Sequence, residues 1–306
     1  MLKASIVICT YNKLPRLKLT LFSIDKQIID KKIFEVIVVD DGSDDGTSKF
    51  LTECDYSFQL RHVKIKNSGR AIARNVGIEM ARNEIIIFID DDMILKSDFV
   101  KEHIASQNRK MMVTHGRIKE YPYTKFFYDP VVGKLFDGLE YPCSLNNLLS
   151  CCLSYEEIET ECSNLNKKSK YSSHEKIVRK VFENKVLNWF WIGFCGGNVS
   201  LPKSWIEQVE GFDENFSKKW GCEDLEMGYR LMKKGFPFSY CDRALNFHID
   251  HYRENYIEEH GFNMHYFIEK YKDKEIELFD KFVQKKISEK QLLIYLDNCK
   301  EISNGY

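Results

Sequence analysis

Four short strand-like runs, each closing on polar residues, punctuate the first hundred positions of the chain. Ser5–Thr10 (SIVICT) and Phe34–Val39 (FEVIVV) are β-branched and almost wholly apolar, which suits strands buried on both faces of a parallel sheet. Leu60–Ile65 and Glu84–Ile89 (EIIIFI) are the third and fourth. Between them the apolar positions take helical spacing: Leu17, Leu21 and Ile24 within Leu14–Asp25, then Thr47–Cys54 and Ala71–Ala81. Strands alternating with helices predict a doubly wound α/β unit, whose ligands bind beyond the carboxyl ends of the strands. Three of those ends carry Thr10-Tyr11-Asn12, Asp40-Asp41 and Asp90-Asp91-Asp92, so polar chemistry is expected along one edge.

The middle of the chain is less regular. Lys119–Trp191 is rich in Tyr, Phe, Ser, Asn and Lys, and Ser163–Ser173 reads as a mobile loop. Trp189, Phe190 and Trp191 suit a stacking surface or a core strand equally well. Order resumes at Gly196–Leu201, Glu223–Gly235 has the pattern of a helix, and a short run follows at Phe236–Tyr240. Beyond His251 the chain is amphipathic, with Met264, Phe267, Ile268 and Tyr271, then Ile276, Phe279, Phe282, Val283 and Ile287. Ser288 and Gln291 form a capping-box pattern that starts a last helix.

Composition narrows the classes. Of 306 residues 43% are hydrophobic and 30% charged, as in a folded globular chain rather than a disordered one. A net charge of −1 argues against a nucleic-acid binder working through diffuse electrostatics. No apolar run approaches the roughly 20 residues needed to span a bilayer, which leaves peripheral membrane contact open. The start, MLKASIVICTYN, lacks a signal-peptide pattern, and the ten cysteines contain no C-x-x-C pair. Reduced thiols and a cytoplasmic protein, with possible docking at the inner face of a membrane, are the expectation.

Three carboxylates in a row, Asp90, Asp91 and Asp92, repel one another at a strand end and call for a cation. Hard divalent ions such as Mn2+ or Mg2+ take carboxylate oxygens together with substrate phosphates, as the departure of a diphosphate requires. A solvated acidic turn is the plain alternative. Asp40-Asp41-Gly42-Ser43 fits an ordinary βα turn, or a carboxylate that accepts a hydrogen bond from a nucleotide. Asn67–Asn75 (NSGRAIARN) places Gly69, Arg70 and Arg74 at a helix start, a setting for a diphosphate or merely a surface helix with solvated arginines.

Together SIVICTYN, VVDDGSDDGT, NSGRAIARNVGIEMA and IIIFIDDDM resemble the nucleotide-binding half of glycosyltransferase family 2, with its GT-A fold. The resemblance implies that Thr10, Tyr11 and Asp41 contact the uridine of a UDP-sugar, and that Gly69, Arg70 and Arg74 lie near the nucleotide. It implies that Asp90-x-Asp92 is the metal-binding D-x-D motif, with Asp90 and Asp91 also against the nucleotide. Farther on, GGNVS, GFDE and Trp220-Gly221-Cys222-Glu223-Asp224 resemble the W-G-G-E-D region of bacterial chondroitin-type polymerases and β-1,4-galactosyltransferases. By that likeness Asp224 is the general base, Glu223 grips a sugar and Trp220 is the wall on which a sugar stacks; an acidic helix start is the bland reading. Cys222 stands where glycine is usual. His248 is placed as a metal ligand, with His251 as its rival. Cys195, Cys222, Cys241 and His248 are too irregularly spaced for a zinc module.

The resemblance divides the chain into a nucleotide-sugar-binding half (1–115), a variable insertion (116–190), an acceptor and catalytic half (191–252) and a helical extension (253–306). It implies an inverting, metal-dependent transfer from a UDP-sugar to a hydroxyl of a glycan, lipid-linked or other acceptor. A non-catalytic scaffold would lack the base or a metal carboxylate. A nucleotidyltransferase would carry a Gly-rich basic loop where Thr10-Tyr11-Asn12-Lys13 stands, and no G-x-G-x-x-G marks a dehydrogenase. The C-terminal stripe is read as core, as a surface that pairs two subunits, or as a docking face for a membrane or partner.

Overall fold

The computed structural model describes residues 2–303 apart from 161 and 218. In chain order the strands are β1 Ala4–Thr10, β2 Phe34–Asp40, β3 Gln59–Lys64, β4 Ile85–Asp90, β5 Met93–Leu95, β6 Val113–Glu120, β7 Phe127–Asp129, β8 Lys134–Leu135, β9 Val199–Pro202 and β10 Phe238–His248. Eight of them form one sheet in the order β3-β2-β1-β4-β9-β6-β10-β5, while β7 and β8 make a separate pair. β1 pairs in parallel with β2 and β4, as do β2 with β3 and β6 with β10. β9 runs antiparallel between β4 and β6, and β5 antiparallel to the end of β10.

The unbroken apolar runs arise because both faces of the sheet are covered. Ile6, Ile8, Val36, Val38, Ile85 and Ile87 pack against Leu17, Leu21 and Ile24 of helix Leu14–Asp25. Val7, Ile37, Val39, Ile86 and Phe88 point the other way, onto Ala71, Ala73 and Ile78 of helix Arg70–Met80 and Met227 and Leu231 of helix Glu223–Lys233. Each fully buried aliphatic side chain contributes about 1.5–3 kcal/mol of transfer free energy. The doubly wound, mostly parallel sheet with a helical C-terminal extension agrees with the sequence pattern.

Three expectations change. Ser163–Ser173 is no mobile loop: Ser163–Lys168 is helical, Leu165 is fully buried, and Lys170 exchanges backbone hydrogen bonds with Glu120 at 2.8 and 3.0 Å. Trp189 and Trp191 lie in a 3-10 turn, Leu187–Gly193, and are wholly buried, so they form neither a strand nor a sugar platform. The run at Phe236–Tyr240 opens the eleven-residue β10, whose last residue is His248. The helices Tyr256–Tyr271, Lys274–Val283 and Glu289–Ser303 bury their stripe (Phe267, Ile276, Phe279, Leu292) on Trp189, Trp191, Leu225 and Tyr229. The expected capping box closes: Ser288 N–H donates to Gln291 Oε1 at 2.8 Å and Gln291 N–H to Ser288 Oγ at 3.2 Å.

One buried cation fastens the insertion to the sheet edge. Arg16, 2% exposed, donates to the carbonyls of Thr124, Phe127 and Tyr128, and to those of Ile249 and Asp250, at 2.7–3.2 Å. Arg16→Ala orphans these acceptors and is expected to lower stability by about 3 kcal/mol or more, measured by urea unfolding.

Candidate functional site

β1 and β4 are neighbours, while the crossovers from β1 and from β4 lead away in opposite directions, so a crevice opens at their carboxyl ends. A cavity of about 310 Å³ lies there, lined by Thr10, Tyr11, Lys13, Asp41, Gly69, Arg70, Arg74, Asp90, Asp91 and Trp220. The two aspartates that end β2 have separate tasks. Asp40 holds its own turn, accepting from Ser43 N–H at 2.8 Å and Ser48 Oγ at 2.5 Å. Asp41 faces the cavity and accepts from the amides of Ser68 at 2.7 Å and Gly69 at 2.9 Å, which fixes the loop beside it. Gly69 has φ +91°, and a Cβ there would sit 1.2 Å from the Ser217 carbonyl oxygen, so only glycine fits. Tyr11, 47% exposed, stands free at the rim.

Arg74 joins the two halves of the site. Its guanidinium donates to Asp90 Oδ1 at 3.0 Å and to Glu223 Oε1 at 2.7 Å. A Cβ on Gly196 would come within 2.1 Å of the same guanidinium, so a side chain there would displace it from Asp90 and Glu223. Burial opposes ionisation of Asp90, but Arg74 and Arg70 hold its carboxyl below the usual range. Arg70 in turn lies over the Trp220 ring at 5.9 Å.

Asp92 is 1% exposed and ringed by positive groups. Lys13 Nζ contacts Asp91 Oδ1 at 2.5 Å and Asp92 Oδ2 at 3.2 Å. His251 Nδ1 lies 2.9 Å from Asp92 Oδ2, and His248 Nε2 lies 3.6 Å from Asp92 Oδ1. Sheet pairing sets this meeting, since β5 runs beside the end of β10 and Ile249 N–H donates to the Asp92 carbonyl at 2.9 Å. Burial alone would lower the His248 pKa, but Asp92 raises it to about 9. Burial and Lys13 push His251 down to about 2.

A divalent ion fits this donor set. Asp92 Oδ1 and Asp91 Oδ2 are buried oxygens without a hydrogen-bond partner, and Asp92 Oδ1 faces His248 across a gap that carboxylate and imidazole ligands can share. Among the described residues no three acidic, histidine or cysteine side chains form a ready-made cage, so substrate oxygens would have to complete the shell.

A second cavity, of about 660 Å³, shares Arg70, Arg74, Asp90, Trp220, His251 and Arg253 with the first and continues past Glu223 and Asp224. Asp224 accepts from Leu225 N–H at 2.8 Å and Gly196 N–H at 3.2 Å. Burial, then neighbouring Glu223, raise its pKa to about 6 against the pull of Arg74. Glu223 is 2% exposed, and its Oε2 has no partner. Trp220 stands half-buried at the junction of the two cavities.

All the site residues singled out in the sequence therefore line the joined cavities or, for Asp92, touch a residue that does. The zinc alternative has no such support: Cys222 and Cys241 belong to different core clusters. Sequence reasoning missed Lys13, Arg253 and Asn263. Lys13 immediately follows Thr10-Tyr11-Asn12, a position from which a cation could have been assigned to the aspartates. Arg253 lies 5.1 Å over the Trp220 ring and pairs with Asp250 at 2.9 Å. Asn263 gives no sequence signal; its amide holds the Trp220 loop through the carbonyls of Lys219 at 3.1 Å and Gly221 at 2.8 Å.

Residues 5–154 match the family model of Glycosyl transferase family 2, and residues 177–254 that of the N-terminal domain of galactosyltransferase. The uncharacterised glycosyltransferase YfnE of Bacillus subtilis is 31% identical over 265 residues, covering 82% of this chain and 65% of YfnE. Hyaluronan synthase of Pasteurella multocida is 29% identical over 253 residues, 80% of this chain and 24% of that protein. The crystal structure of S. aureus TarS 1-349 in complex with UDP-GlcNAc shares the fold, with a TM-score of 0.55 at 17% identity over 82% of this chain and 59% of that one. The chain thus spans less than two thirds of the length of each of these proteins.

Proposed function

We propose that this chain, whose residues 5–154 match glycosyltransferase family 2, transfers a sugar with inversion from a UDP-sugar to a hydroxyl of a glycan, lipid-linked or other acceptor. One observation carries the reading: a cation-lined cavity at the β1–β4 switch point opens directly into a cavity that holds an aspartate whose pKa is raised to about 6. The first cavity suits a nucleoside diphosphate, with Tyr11 at its rim, Asp41 fixing its loop, and Arg70 and Arg74 beside the phosphates. The UDP-GlcNAc bound by TarS supports a nucleotide-sugar donor.

Asp224 takes the proton of the acceptor hydroxyl as that oxygen attacks the anomeric carbon from the face opposite the diphosphate. Glu223, anchored by Arg74, has one free oxygen for a sugar hydroxyl, and Trp220 offers a ring face at the junction. Asp90, Asp92 and His248 would hold Mn2+ or Mg2+, which neutralises charge developing on the departing diphosphate. Lys13, Arg70 and Arg253 add fixed positive charge at the same place. No helix among the described residues is long and apolar enough to cross a membrane. The cytoplasmic placement rests on the chain's many cysteines, which suit a reducing compartment.

Calorimetric titration of UDP, GDP and ADP, with and without Mn2+, tests this. Manganese-dependent binding of UDP is expected. A folded protein that bound none of the three would instead be a scaffold derived from a transferase.

A further inference from the structure

The larger cavity joins polar and apolar lining. Its lining includes the charged Arg74, Glu223, Asp224, His248 and Arg253, and also an apolar wall of Ile118 with Phe279, Phe282 and Val283. Phe279, Phe282 and Val283 belong to helix Lys274–Val283, beyond residue 254 where the second family match ends. The C-terminal helices are therefore part of this site as well as core. Helix Tyr256–Tyr271 carries Asn263, which clamps the Trp220 loop, and His260, which lies 3.7 Å from Cys222 Sγ and packs over Gly221. His174 closes the wall edge-on to Phe279 at 5.9 Å.

We infer that this wall takes an apolar aglycone: the acceptor is a glycoside whose non-sugar part lies against Phe282 and Val283 while its sugar hydroxyl meets Asp224. The inference rests on the transferase reading above. A single hexose offers hydroxyls around most of its ring and leaves such a wall unsatisfied. The cavity, about 660 Å³, has the volume that encloses a drug-sized ligand, and it is continuous from the base to the wall. Phe282 and Val283 are only partly buried by the core, so part of their surface faces this space. A hydrophobic wall discriminates by the apolar surface it covers, about tenfold or more for each well-seated methylene at best.

The test uses paired acceptor probes, the methyl and octyl β-glycosides of glucose, galactose, N-acetylglucosamine, N-acetylgalactosamine and glucuronic acid. Binding is measured calorimetrically with UDP and Mn2+ present, and turnover with the matching UDP-sugars. The octyl member of at least one pair is expected to bind about tenfold or more tightly than its methyl counterpart. Val283→Thr, nearly isosteric, and Phe282→Ala are expected to reduce that ratio toward one. UDP binding on the same samples reports whether fold and donor site survive. A wild-type ratio near one for every pair, or a ratio unchanged by both substitutions, overturns the aglycone wall while UDP still binds. Loss of UDP binding in the wild type would instead strike the transferase reading itself.

Discussion

Asp224→Asn is expected to lower kcat about a thousandfold while UDP affinity stays within about twofold of wild type, since a general base typically contributes 10²–10⁴ in rate. The carboxylate touches Gly196 and Leu225 amides but makes no contact with the donor-cavity aspartates. The amide keeps nearly the same shape and retains one of the two backbone bonds. What it loses is the capacity to accept a proton. Single-turnover measurement with saturating UDP-sugar separates this loss from slow product release. Near-wild-type turnover in the variant would remove Asp224 from the role of base.

The same residue sets the acid limb of the pH profile. The groups facing it are Glu223, which raises its pKa together with burial, and Arg74, which opposes them; the result is about 6. The base must be ionised, so kcat/KM is expected to fall tenfold per pH unit below about 6, and Asp224→Asn should abolish that limb. The effect on stability has the opposite sense. A carboxyl raised above its unfolded value favours folding when protonated, and that contribution is lost as pH rises through about 6. At pH 7 Asp224 therefore costs stability, and Asp224→Asn should unfold at the same or a higher urea concentration than wild type. Function here holds a charge where folding alone would not place one.

The parts of the fold that could be read from the sequence are those where hydrophobicity and burial coincide. Helix Leu14–Asp25 has the bounds its pattern predicts, and the sheet centre from β1 to β4 shifts by no more than a residue or so. β6 and most of β10 escaped because they bury polar residues. Thr114 and His115 are fully buried in β6, and Asn246 in β10, each hydrogen-bonded to a partner far along the chain: Ser239, Glu175 and Asn198 respectively. A hydropathy pattern cannot report a polar side chain whose partner lies far along the chain. The candidate site divides along the same line. Asp41, Gly69, Arg74, Asp90 and Glu223-Asp224 sit in local motifs, whereas Asn263 acts on the Trp220 loop from more than forty positions away, a relation that only the packing of helix Tyr256–Tyr271 creates.

Asp92 is the second residue whose loss should be severe. Asp92→Ala is expected to remove the manganese-dependent part of UDP binding, leaving the variant with the weak affinity that wild type shows without the ion. The loss should exceed the roughly 10–100-fold typical of a residue that merely supports a ligand. Asp92 stands between Lys13, His251 and His248, and its Oδ1 is the buried oxygen left without a hydrogen bond. Alanine would leave Lys13 with Asp91 alone, and stability is expected to fall by about 3 kcal/mol as buried charge loses its partner. Asp92→Asn distinguishes the two consequences. It keeps an oxygen and the volume but not the charge, so a folded Asn variant that still bound UDP manganese-dependently would exclude Asp92 as a metal carboxylate. A folded Asn variant that binds UDP equally with and without the ion would place Asp92 in the metal shell. The same titration of His248→Ala and His251→Ala decides between the histidines: His248, facing the unpartnered oxygen, is expected to carry the manganese dependence, and His251, already hydrogen-bonded to Asp92, is not.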